Sequence, residues 1–515
     1  MNLPPIILPD DEHNRSLGAQ VHPADWRNPE PAPLYNLVVI GAGTAGLVTA
    51  AGAAGLGAKV ALVEHDLMGG DCLNWGCVPS KAILRSSRMS TLWLEAEPLG
   101  FKAPQPLEAD FARVMERMRR LRARIAAHDS AARFRDLGVD VFFGHAQFTG
   151  FHSAAVDGRT LRFRKAVIAT GAKPVLPPIP GLAGAGCLTN KTVFQMTELP
   201  RRLLVIGGGP IGCELAQAFR RLGSAVILVE KGPRILPRED DDSANLLQGV
   251  FREEGIELRL NATVQCVSEG LGVKQVQVLH EGQETGFAVD AILAAAGRAP
   301  NVLDLNLEAA GVEYDEHAGI HVDSTLRTTN PDIFAAGDVC MSFQFTHAAD
   351  AAARIVIRNA FFPGRTKMDS LVIPWCTYTD PEIAHVGLGE VEAHGRHIAI
   401  DIYKRSFDSI DRAILDGEET GFVKILTAKG CDRILGAVIV ARHAGEMLNE
   451  ITLAMNQGIG LRKLSHVIHP YPTQAEAIRL CADAYNRSRL TPRVKRIFQT
   501  WFQWRRNTIV KKNVV

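Results

Sequence analysis

Short apolar runs that end in glycine-rich turns recur along this chain. The first covers residues 37–40 and leads into the sequence Gly-Ala-Gly-Thr-Ala-Gly, whose glycines are Gly41, Gly43 and Gly46. An Ala- and Gly-rich helical stretch follows, and then a second apolar run that ends at Glu64. Runs of about four to eight apolar residues bounded by turn signals are typical of a buried strand. The pattern therefore predicts the order strand, turn, helix, strand.

The same unit returns later in the chain. Residues 203–206 precede a turn with Gly207, Gly209 and Gly212, and the next apolar run ends at Glu230, at the same interval after the third glycine. In such a unit the first two glycines permit a tight turn against a pyrophosphate, and the third lets helix and strand pack closely. The helix N-terminus faces the phosphates, and the acid accepts hydrogen bonds from ribose hydroxyls. One such turn could be purely structural, but two complete copies predict two dinucleotide sites.

Three further apolar runs end in glycine. Two of them, at residues 167–171 and 292–298, are interpreted as crossings between domains. The third, at residues 333–338, delivers Asp338 to the C-terminal end of a buried strand, where ligands bind in open α/β sheets. Asp338 is therefore a candidate ligand-binding acid, and the alternative is an ordinary helix cap.

The pattern changes near residue 370, where alternating segments favour an antiparallel sheet with helices. We predict an α/β fold with two Rossmann-like dinucleotide-binding domains and a C-terminal α+β domain. The expected segments are an extended arm at 1–33, the first nucleotide-binding domain at 34–185 and 298–369, the second at 186–297, the C-terminal domain at 370–487, and a basic, aromatic tail at 488–515.

Composition narrows the classes of function. The 515 residues carry 57 Lys and Arg against 56 Asp and Glu, so no overall positive field attracts nucleic acid. The nine cysteines are an odd number, mostly isolated in apolar segments, which is not typical of a secreted disulfide framework. No apolar run reaches the ~20 residues of a membrane span, and the start lacks the features of a signal peptide. We predict a soluble, cytoplasmic protein.

A cysteine pair carries the most specific chemistry in the chain. Cys72 and Cys77 are five residues apart, and a regular helix would separate them by ~7.5 Å along its axis, beyond the ~7 Å Cα limit for a disulfide. The backbone must therefore leave the regular helix if they bond, and Asn74 and Gly76 give it that freedom. Pro79 is tolerated only near a helix start, so the pair is expected at an irregular helix entrance, where thiolate is favoured.

Lys81 strengthens the case for redox chemistry. It lies four residues after Cys77 and projects from the same helical face, which places a cation near the thiolate. These features predict a redox-active pair. The alternative is two reduced, buried cysteines beside a solvated lysine.

With these motifs in this order, the chain resembles the class I flavoprotein disulfide reductases, the family of lipoamide dehydrogenase, glutathione reductase and mercuric reductase. The resemblance covers about residues 35–490. It implies FAD in the first nucleotide site, NAD(P)H in the second, and a homodimer held by the C-terminal domain. The residues that it assigns to cofactor binding are Gly41, Gly43, Gly46, Glu64, Gly70, Lys81, Thr170, Gly171, Gly207, Gly209, Gly212, Glu230, Gly297, Arg298, Gly337 and Asp338.

The resemblance also implies roles in catalysis. Cys77 would be the thiol that lies against the flavin, and Cys72 the thiol that faces the acceptor. Lys81 would pair with Glu214 beside the flavin nitrogen that receives hydride.

The family's catalytic base, a His-Glu dyad in the pattern His-Pro-Thr-x-x-Glu from the partner subunit, is altered here. The chain reads His-Pro-Tyr-Pro-Thr-Gln-Ala-Glu from His469 to Glu476, so Tyr471 takes the histidine position and Glu476 the glutamate position. A histidine with a pKa near ~6.5 shuttles protons at neutral pH, whereas a tyrosine near ~10 donates hydrogen bonds and rarely accepts protons. Mercuric reductases resemble this chain in having tyrosine there. The alternative is that a two-residue shift makes His469 the base.

Three hypotheses follow for the function. The leading one is electron transfer from NAD(P)H through FAD and the dithiol to Hg(II) or another thiol-reactive acceptor, since thiolates are soft ligands. No cysteine follows Cys481, however, whereas mercuric reductases carry a C-terminal cysteine pair. Dihydrolipoyl dehydrogenase is the runner-up, which Tyr471 opposes. The third hypothesis is a non-catalytic, redox-sensing or membrane-associated flavoprotein, which the intact Cys72, Cys77, Lys81 and Glu214 set opposes.

The nicotinamide preference turns on Glu230. Its carboxylate would bond the ribose 2′-hydroxyl of NADH and repel the 2′-phosphate of NADPH. Lys231 and Arg234 weaken that argument, and we expect a modest preference for NADH. No resident metal site is predicted.

The tail is the last feature to interpret. Its large apolar residues stand at helical spacing among basic residues, and they are Val494, Ile497, Phe498, Trp501 and Phe502. A basic amphipathic helix can lie on an anionic membrane, but packing of this stripe on the dimer is the favoured alternative.

Overall fold

The structure is a computed structural model that describes residues 5–96, 98–102, 108–270 and 272–512. Its helices are α1 Glu12–Val21, α2 Thr44–Gly55, α3 Gly70–Asn74, α4 Cys77–Ser87, α5 Leu92–Ala96, α6 Phe111–Ile125, α7 Ala131–Asp136, α8 Pro210–Arg221, α9 Asp241–Glu253, α10 Thr346–Phe361, α11 Glu390–Gly395, α12 Asp411–Asp416, α13 Ala444–Asn456, α14 Leu461–Leu464, α15 Glu476–Ser488 and α16 Pro492–Lys512. Its strands are β1 Tyr35–Ile40, β2 Val60–Glu64, β3 Asp140–Phe143, β4 Ala146–Gly150, β5 Ser153–Val156, β6 Arg159–Ile168, β7 Ala172–Pro174, β8 Arg202–Ile206, β9 Ala225–Val229, β10 Glu257–Arg259, β11 Ala262–Gly270, β12 Val273–His280, β13 Gln283–Val289, β14 Ala291–Ala294, β15 Arg298–Pro300, β16 Tyr314–Asp315, β17 Gly319–Ile320, β18 Ile333–Ala335, β19 Pro374–Thr377, β20 Glu382–Gly387, β21 Ile400–Ser406, β22 Phe422–Ala428 and β23 Ile434–Ala441.

The described chain divides into two compact units. The first comprises the residues up to Pro237 and Leu247–Leu371, and the second comprises Arg238–Leu246 and the residues from Val372 onward.

The first unit contains both predicted strand-turn-helix-strand copies. A seven-stranded sheet runs in the order β3-β2-β1-β6-β5-β4, and β18 also pairs with β6. A four-stranded parallel sheet runs β10-β9-β8-β14, and a three-stranded antiparallel sheet β11-β12-β13 accompanies it. The predicted strands are therefore confirmed as β1 and β2 in the first copy and β8 and β9 in the second.

Strand β1 is continuously apolar over residues 37–40 because both faces of its sheet are covered there. Leu37 and Val39 pack into one core cluster, whereas Val38 and Ile40 pack into the cluster on the opposite face. A parallel strand buried on both faces has a continuous apolar run rather than an alternating one.

The second unit confirms the predicted α+β domain. Its five-stranded antiparallel sheet has the order β19-β20-β23-β22-β21. Helices α13 and α15 contribute Leu448, Ile451 and Ile478 to the same core as Ile425 and Ile439 of the sheet. The observed architecture is the predicted α/β fold with an α+β C-terminal domain.

A buried lysine joins three acidic residues within the second unit. Lys424, in strand β22, is only 2% exposed, and its Nζ lies 2.8 Å from Asp240 Oδ2 and 2.7 Å from Asp242 Oδ1. Glu390 Oε2 lies 3.3 Å from the same Nζ. This cluster secures Arg238–Leu246 to the sheet.

The first 33 residues were predicted as an extended arm, and that prediction is wrong for α1. Asp11 caps this helix by accepting a hydrogen bond from the Asn14 backbone N–H at 2.8 Å. Leu17 and Val21, four residues apart on one helical face, are fully buried. A capped helix with one buried face is more stable than an extended segment that would leave those side chains in water.

The basic tail forms α16, which confirms its helical spacing. Among the residues that the structure describes, no helix combines the length and the hydrophobicity needed to cross a membrane.

Candidate active site

The first and third glycines of the first turn lie where no side chain fits. A Cβ on Gly41 would lie 2.3 Å from the Ala169 carbonyl oxygen, and one on Gly46 would lie 1.8 Å from the Gly41 oxygen. Gly41 also has a φ of +100°, which favours glycine. Gly43 is the N-cap of α2. The turn thus packs tightly between β1, β6 and the start of α2, with the helix N-terminus exposing its amides to an anion.

The second turn repeats this geometry. A Cβ on Gly207 would lie 2.5 Å from the Ala295 oxygen, and one on Gly212 would lie 2.0 Å from the Gly207 oxygen. Gly209 is the N-cap of α8. The two copies therefore match in backbone packing as well as in sequence.

The acid of each copy is bonded to its own glycine turn. Glu64 Oε2 accepts a hydrogen bond from Ala42 N at 2.7 Å, and Glu230 Oε2 accepts one from Gly208 N at 2.6 Å. Burial opposes ionisation of Glu64, but hydrogen bonds with His65 and with backbone amides hold its pKa below the ordinary value. Each acid is therefore held at its own glycine turn, where it can accept hydrogen bonds from ribose hydroxyls.

Three other predicted cofactor residues lie close to the first turn. A Cβ on Gly70 would lie 2.7 Å from Gly43 Cα, so these two backbones touch. Thr170 and Gly171 follow β6, and Thr170 Oγ1 donates to the Asn301 carbonyl at 2.7 Å. The sequence around β6 thus delivers the predicted residues to the same edge of the sheet.

The helix around the cysteine pair is interrupted, as the spacing predicted. Cys72 lies in α3, which ends at Asn74, and Cys77 is the first residue of α4. Gly76 is the N-cap of α4, and a Cβ there would lie 2.9 Å from the Asp71 oxygen. Both sulfurs are free thiols in this structure, and Cys77 is exposed.

The two thiols have opposite electrostatic preferences. A hydrogen bond from Cys72, a second from Thr346 and the charge of Lys81 lower the pKa of Cys77 to about 6. The same contact with Cys77, together with burial, raises the pKa of Cys72. Cys77 Sγ lies 3.4 Å from Thr346 Oγ1, at the start of α10. In the reduced pair Cys77 is thus the thiolate and Cys72 keeps the proton.

The predicted Lys81–Glu214 pair is present. Lys81 Nζ lies 2.7 Å from Glu214 Oε2, and the Glu214 side chain is buried. Lys81 extends from α4 and Glu214 from α8, so the pair joins the cysteine helix to the helix of the second nucleotide turn. The amine is held close to the Cys77 thiolate.

Arg298 bridges two acids at the predicted site. It follows Gly297, whose φ is +132°, and its Nη2 donates to Asp71 and, at 2.8 Å, to the Ala172 carbonyl. Its Nε lies 3.6 Å from Asp338 Oδ2. Burial raises the pKa of Asp338, and Arg298 opposes that rise.

Asp338 does not cap an α-helix. It follows Gly337 at the end of β18, and the next helix, α10, has Phe345 as its N-cap. The helix-cap alternative for Asp338 is therefore wrong.

These residues fit FAD. The tight first turn brings the N-terminus of α2 to the end of β1, as a pyrophosphate requires, and the lowered pKa of Glu64 keeps a carboxylate beside it. Gly70, two residues before Cys72, touches the same turn at Gly43. The second turn offers the same fit to a nicotinamide dinucleotide.

The predicted C-terminal residues lie in the second unit. Tyr471 is 72% exposed, and its hydroxyl donates to Asp411 Oδ2 at 2.8 Å, which raises the pKa of the phenol. His469 Nε2 lies 3.0 Å from Glu450 Oε2. Glu476 opens α15 and pairs with Arg479.

Comparison with known proteins identifies the class of this molecule. Residues 35–353 match the family model of the pyridine nucleotide-disulphide oxidoreductases, and residues 373–482 match the dimerisation domain of that family. The chain belongs to this family. It is a flavin-dependent oxidoreductase that uses a pyridine nucleotide and a disulfide redox centre, and the dimerisation domain supports a homodimer.

Individual relatives are similar along most of their length. A mercuric reductase of Lysinibacillus sphaericus is 33% identical over 453 residues, which is 88% of this chain and 83% of that protein. A dihydrolipoyl dehydrogenase of Thermus scotoductus is 34% identical over 458 residues, or 88% and 98% of the two chains. The solved structure of the HOCl-induced flavoprotein disulfide reductase RclA from Escherichia coli superposes with a TM-score of 0.78 at 31% identity, covering 87% of this chain and 99% of that one.

Sequence reasoning missed several residues around the cysteines. Thr346 contacts Cys77, and the signal for it was a hydroxyl residue at the start of an Ala-rich helix. Arg122 donates from Nη1 to the Asn74 carbonyl at 2.8 Å and from Nη2 to Asn14 Oδ1 at 2.7 Å. Its side chain is fully buried, so α1 supports the cysteine loop through Arg122. No local sequence pattern predicts the contact between Arg122 and Asn14, which are 108 residues apart.

Replacing Asn14 by Ala is expected to destabilise the first unit by about 1–3 kcal/mol, because Arg122 and the Pro9 carbonyl each lose a hydrogen-bond partner at a buried site. Thermal unfolding followed by circular dichroism measures the effect. Arg15→Ala is the control, since its pair with Asp10 is exposed and should cost less than about 0.5 kcal/mol. Equal stability of the two variants would contradict the support role.

In dithiothreitol-reduced enzyme, the rate of alkylation of Cys77 by iodoacetamide is expected to fall as pH drops below about 6, because only the thiolate reacts. Peptide mass spectrometry of timed samples gives the midpoint. Lys81→Met should move that midpoint upward to about pH 7 or above, since a neighbouring positive charge is lost. Lys191→Met is the matched control, because Lys191 pairs with Asp66 instead. A wild-type midpoint near the ordinary thiol value of about 8.5 would contradict the assignment.

Proposed function

We propose that this enzyme moves two electrons from NADH, through FAD and the Cys72–Cys77 pair, to a soft, thiol-seeking metal ion, with Hg(II) as the leading acceptor. The observation that carries the proposal is Tyr471 at the position of the family's histidine base, together with the divided proton affinities of the two thiols.

Residue roles follow from the contacts of the first unit. The bound flavin would supply a two-electron relay between the nicotinamide and sulfur. Lys81, held by Glu214, stabilises the Cys77 thiolate, and Thr346 donates a hydrogen bond to it. Cys72 keeps the second proton and faces the acceptor.

Proton transfer distinguishes the candidate acceptors. A disulfide acceptor such as lipoamide requires Cys72 to be deprotonated, and its raised pKa makes a base necessary. The pKa of Tyr471 is also raised, so its phenol stays protonated at neutral pH. A soft metal ion displaces the thiol proton itself as it binds sulfur, and it therefore needs no base.

The overall reaction balances as NADH plus Hg(II) giving NAD⁺, H⁺ and Hg(0). Two electrons reduce the Cys72–Cys77 disulfide to the dithiol, and both pass to the metal as the disulfide forms again. In the homodimer, we propose that the partner subunit's Tyr471 lies beside the thiols and donates a hydrogen bond to the incoming ligand sphere.

The similarities support a metal ion without deciding which one. Mercuric reductases are among the relatives, and a solved structure of RclA from Escherichia coli, 31% identical with a TM-score of 0.77, is a Cu(II) complex. Cu(II) is therefore the second acceptor to test, with two Cu(II) ions each taking one electron to give Cu(I). Dihydrolipoyl dehydrogenase activity stays the runner-up because that relative matches over 98% of its length.

The nicotinamide preference rests on Glu230. Its carboxylate is held at the second turn by hydrogen bonds from the backbone N–H groups of Gly208 and, at 2.8 Å, of Gly232. A fixed carboxylate accepts a hydrogen bond from the ribose 2′-hydroxyl of NADH and repels the 2′-phosphate of NADPH.

An acceptor screen tests the proposal. Purified holoenzyme is assayed for NADH and NADPH oxidation with Hg(II), Cu(II), lipoamide, oxidised glutathione and a quinone. We expect Hg(II) or Cu(II) with NADH to exceed lipoamide in kcat/KM by at least about tenfold. Faster turnover with lipoamide would contradict the proposal.

Variants of Tyr471 sharpen the test. Tyr471→Phe should lower metal-dependent kcat/KM by about tenfold, because a hydrogen-bond donor is lost. Tyr471→His should raise lipoamide turnover, because it restores a base. Tyr403→Phe, which removes a hydroxyl near Ser488 in the same unit, is the matched control. An unchanged Tyr471→Phe enzyme would refute the role of the phenol.

A further inference from the structure

Helix α16 exposes its large apolar side chains. Among the side chains that the structure describes there, up to Asn507, each is exposed except the half-buried Val494. Five are large and apolar, namely Ile497, Phe498, Trp501, Phe502 and Trp504. A helix that lies on its own domain buries one stripe, and this one leaves its stripe in water.

The apolar residues form one continuous face. Val494, Ile497, Phe498, Trp501 and Phe502 follow the spacing i, i+3, i+4, i+7, i+8. The rings of Phe498 and Phe502 stack with their centroids 6.0 Å apart, and Trp501 lies 5.1 Å from Phe502. The helix thus presents an aromatic surface along about two of its turns.

The helix and its approach carry only positive charge. The sequence after Asp483 contains no Asp or Glu, and its nine basic residues are Arg487, Arg489, Arg493, Lys495, Arg496, Arg505, Arg506, Lys511 and Lys512. The whole chain has 57 basic and 56 acidic residues, so without these nine the rest has 48 basic residues against the same 56 acidic ones. The positive charge is therefore concentrated at one end of an otherwise acidic molecule.

We propose that α16 docks this enzyme on an anionic lipid surface. The aromatic face would enter the boundary between headgroups and acyl chains, where Trp is favoured, and the basic residues along the helix would reach the lipid phosphates. This inference goes beyond the proposed electron transfer and does not depend on the acceptor.

Charge and shape favour lipid over the other occupants. Two copies of α16 packed face to face would bring like charges together with no acid on either helix to pair them. Packing of α16 on the rest of a partner subunit is the alternative that loss of the dimer in the variants below would reveal. Binding to nucleic acid would use the basic side chains but leave the aromatic face in water. An anionic bilayer satisfies both surfaces at once.

Vesicle co-sedimentation of the holoenzyme tests the proposal. Vesicles of phosphatidylcholine alone are compared with vesicles in which 30% is replaced by phosphatidylglycerol, at about 0.05 and 0.5 M salt. We expect binding to the anionic vesicles at least about tenfold stronger than to the neutral ones, and most of it lost at the higher salt.

Two variants and one control separate the contributions of the helix. Trp501→Ser with Phe502→Ser should weaken binding to anionic vesicles by about tenfold or more, and Arg505→Gln with Arg506→Gln should do the same. Gln499→Ala with Gln503→Ala changes the opposite face and should bind as the wild type does. All three double variants should keep NADH oxidation unchanged.

The proposal is overturned by any of three results. The first is equal binding to neutral and anionic vesicles. The second is that the wild type binds no vesicles while the dimer of the Trp501→Ser, Phe502→Ser variant dissociates. The third is salt-sensitive binding of the wild type to duplex DNA but not to vesicles. Each leaves the acceptor screen unaffected, so this inference and the proposed function fail separately.

Discussion

Cys77→Ser is expected to reduce metal-dependent NADH oxidation by about 10³-fold or more, because the disulfide that accepts and returns electrons can no longer form. The purified variant should stay yellow, since the glycine turn and Glu64 are untouched. In the reduced wild type we expect a long-wavelength charge-transfer band from the Cys77 thiolate to the flavin. This band should be absent in the reduced variant. Steady-state kinetics and anaerobic spectra measure both effects.

Cys72→Ser and Cys431→Ser complete this comparison. Cys72→Ser should lose turnover to a similar extent but keep the long-wavelength band, because the Cys77 thiolate remains. Cys431 is an exposed cysteine in the second unit, so Cys431→Ser should leave both properties unchanged. If the band survives in Cys77→Ser, then Cys77 is not the thiol that contacts the flavin.

Lys424→Met is expected to destabilise the C-terminal unit by about 3–5 kcal/mol, because it leaves Asp240 and Asp242 without their shared buried cation. Denaturant unfolding followed by Tyr and Trp fluorescence should show the loss. Lys429→Met is the matched control, since its pair with Asp401 is exposed and contributes little. Similar losses in the two variants would contradict the importance of the cluster.

The pH dependence of this cluster has a definite sign. Burial opposes ionisation of Asp242, yet Lys404 and Lys424 hold its pKa below the ordinary value. That contribution is present above the unfolded pKa of about 3.9 and is lost as pH falls through the folded pKa. The pKa of Lys424 is raised, so its contribution is lost only at strongly alkaline pH. The difference between Lys424→Met and wild type should therefore shrink toward low pH, where the carboxylates are protonated.

The fold was predictable where chemistry requires a local sequence. The first and third positions of both glycine turns need glycine, because a Cβ at any of these four positions would overlap a backbone oxygen at 2.5 Å or less. Each turn also needs an acid at a fixed distance along the chain, and the structure holds Glu64 and Glu230 in the same way. The interrupted helix at Cys77 followed from the spacing that a disulfide requires together with Gly76 and Pro79. Such constraints act within about 20 residues, so they are visible in a single sequence.

Contacts between distant segments were not predictable. Helix α1 was predicted as part of an extended arm because the prolines and acids of the first 33 residues suggested coil, whereas the helix is stabilised by the burial of Leu17 and Val21. Arg122 joins Asn14 to Asn74, and Lys424 gathers acids from two other segments. A buried charge leaves no local signature, because its partners are set by tertiary packing.

Only part of the proposed acceptor site could be predicted from the sequence. The motif placed Tyr471 where the family has histidine, and the structure shows the phenol exposed and bonded to Asp411. The role that we propose for it beside the thiols depends on a second subunit, and contacts between subunits leave no local pattern in the sequence of one chain.

The central claim is that electrons from the nicotinamide reach the two sulfurs, and differential alkylation tests it most directly. Oxidised holoenzyme is treated anaerobically with iodoacetamide, with and without one equivalent of NADH, and the modified cysteines are identified by peptide mass spectrometry. We predict that Cys77, the thiolate of the reduced pair, becomes alkylated only after NADH is added, while Cys431 is alkylated equally in both samples. Equal alkylation of Cys77 with and without NADH would contradict the account.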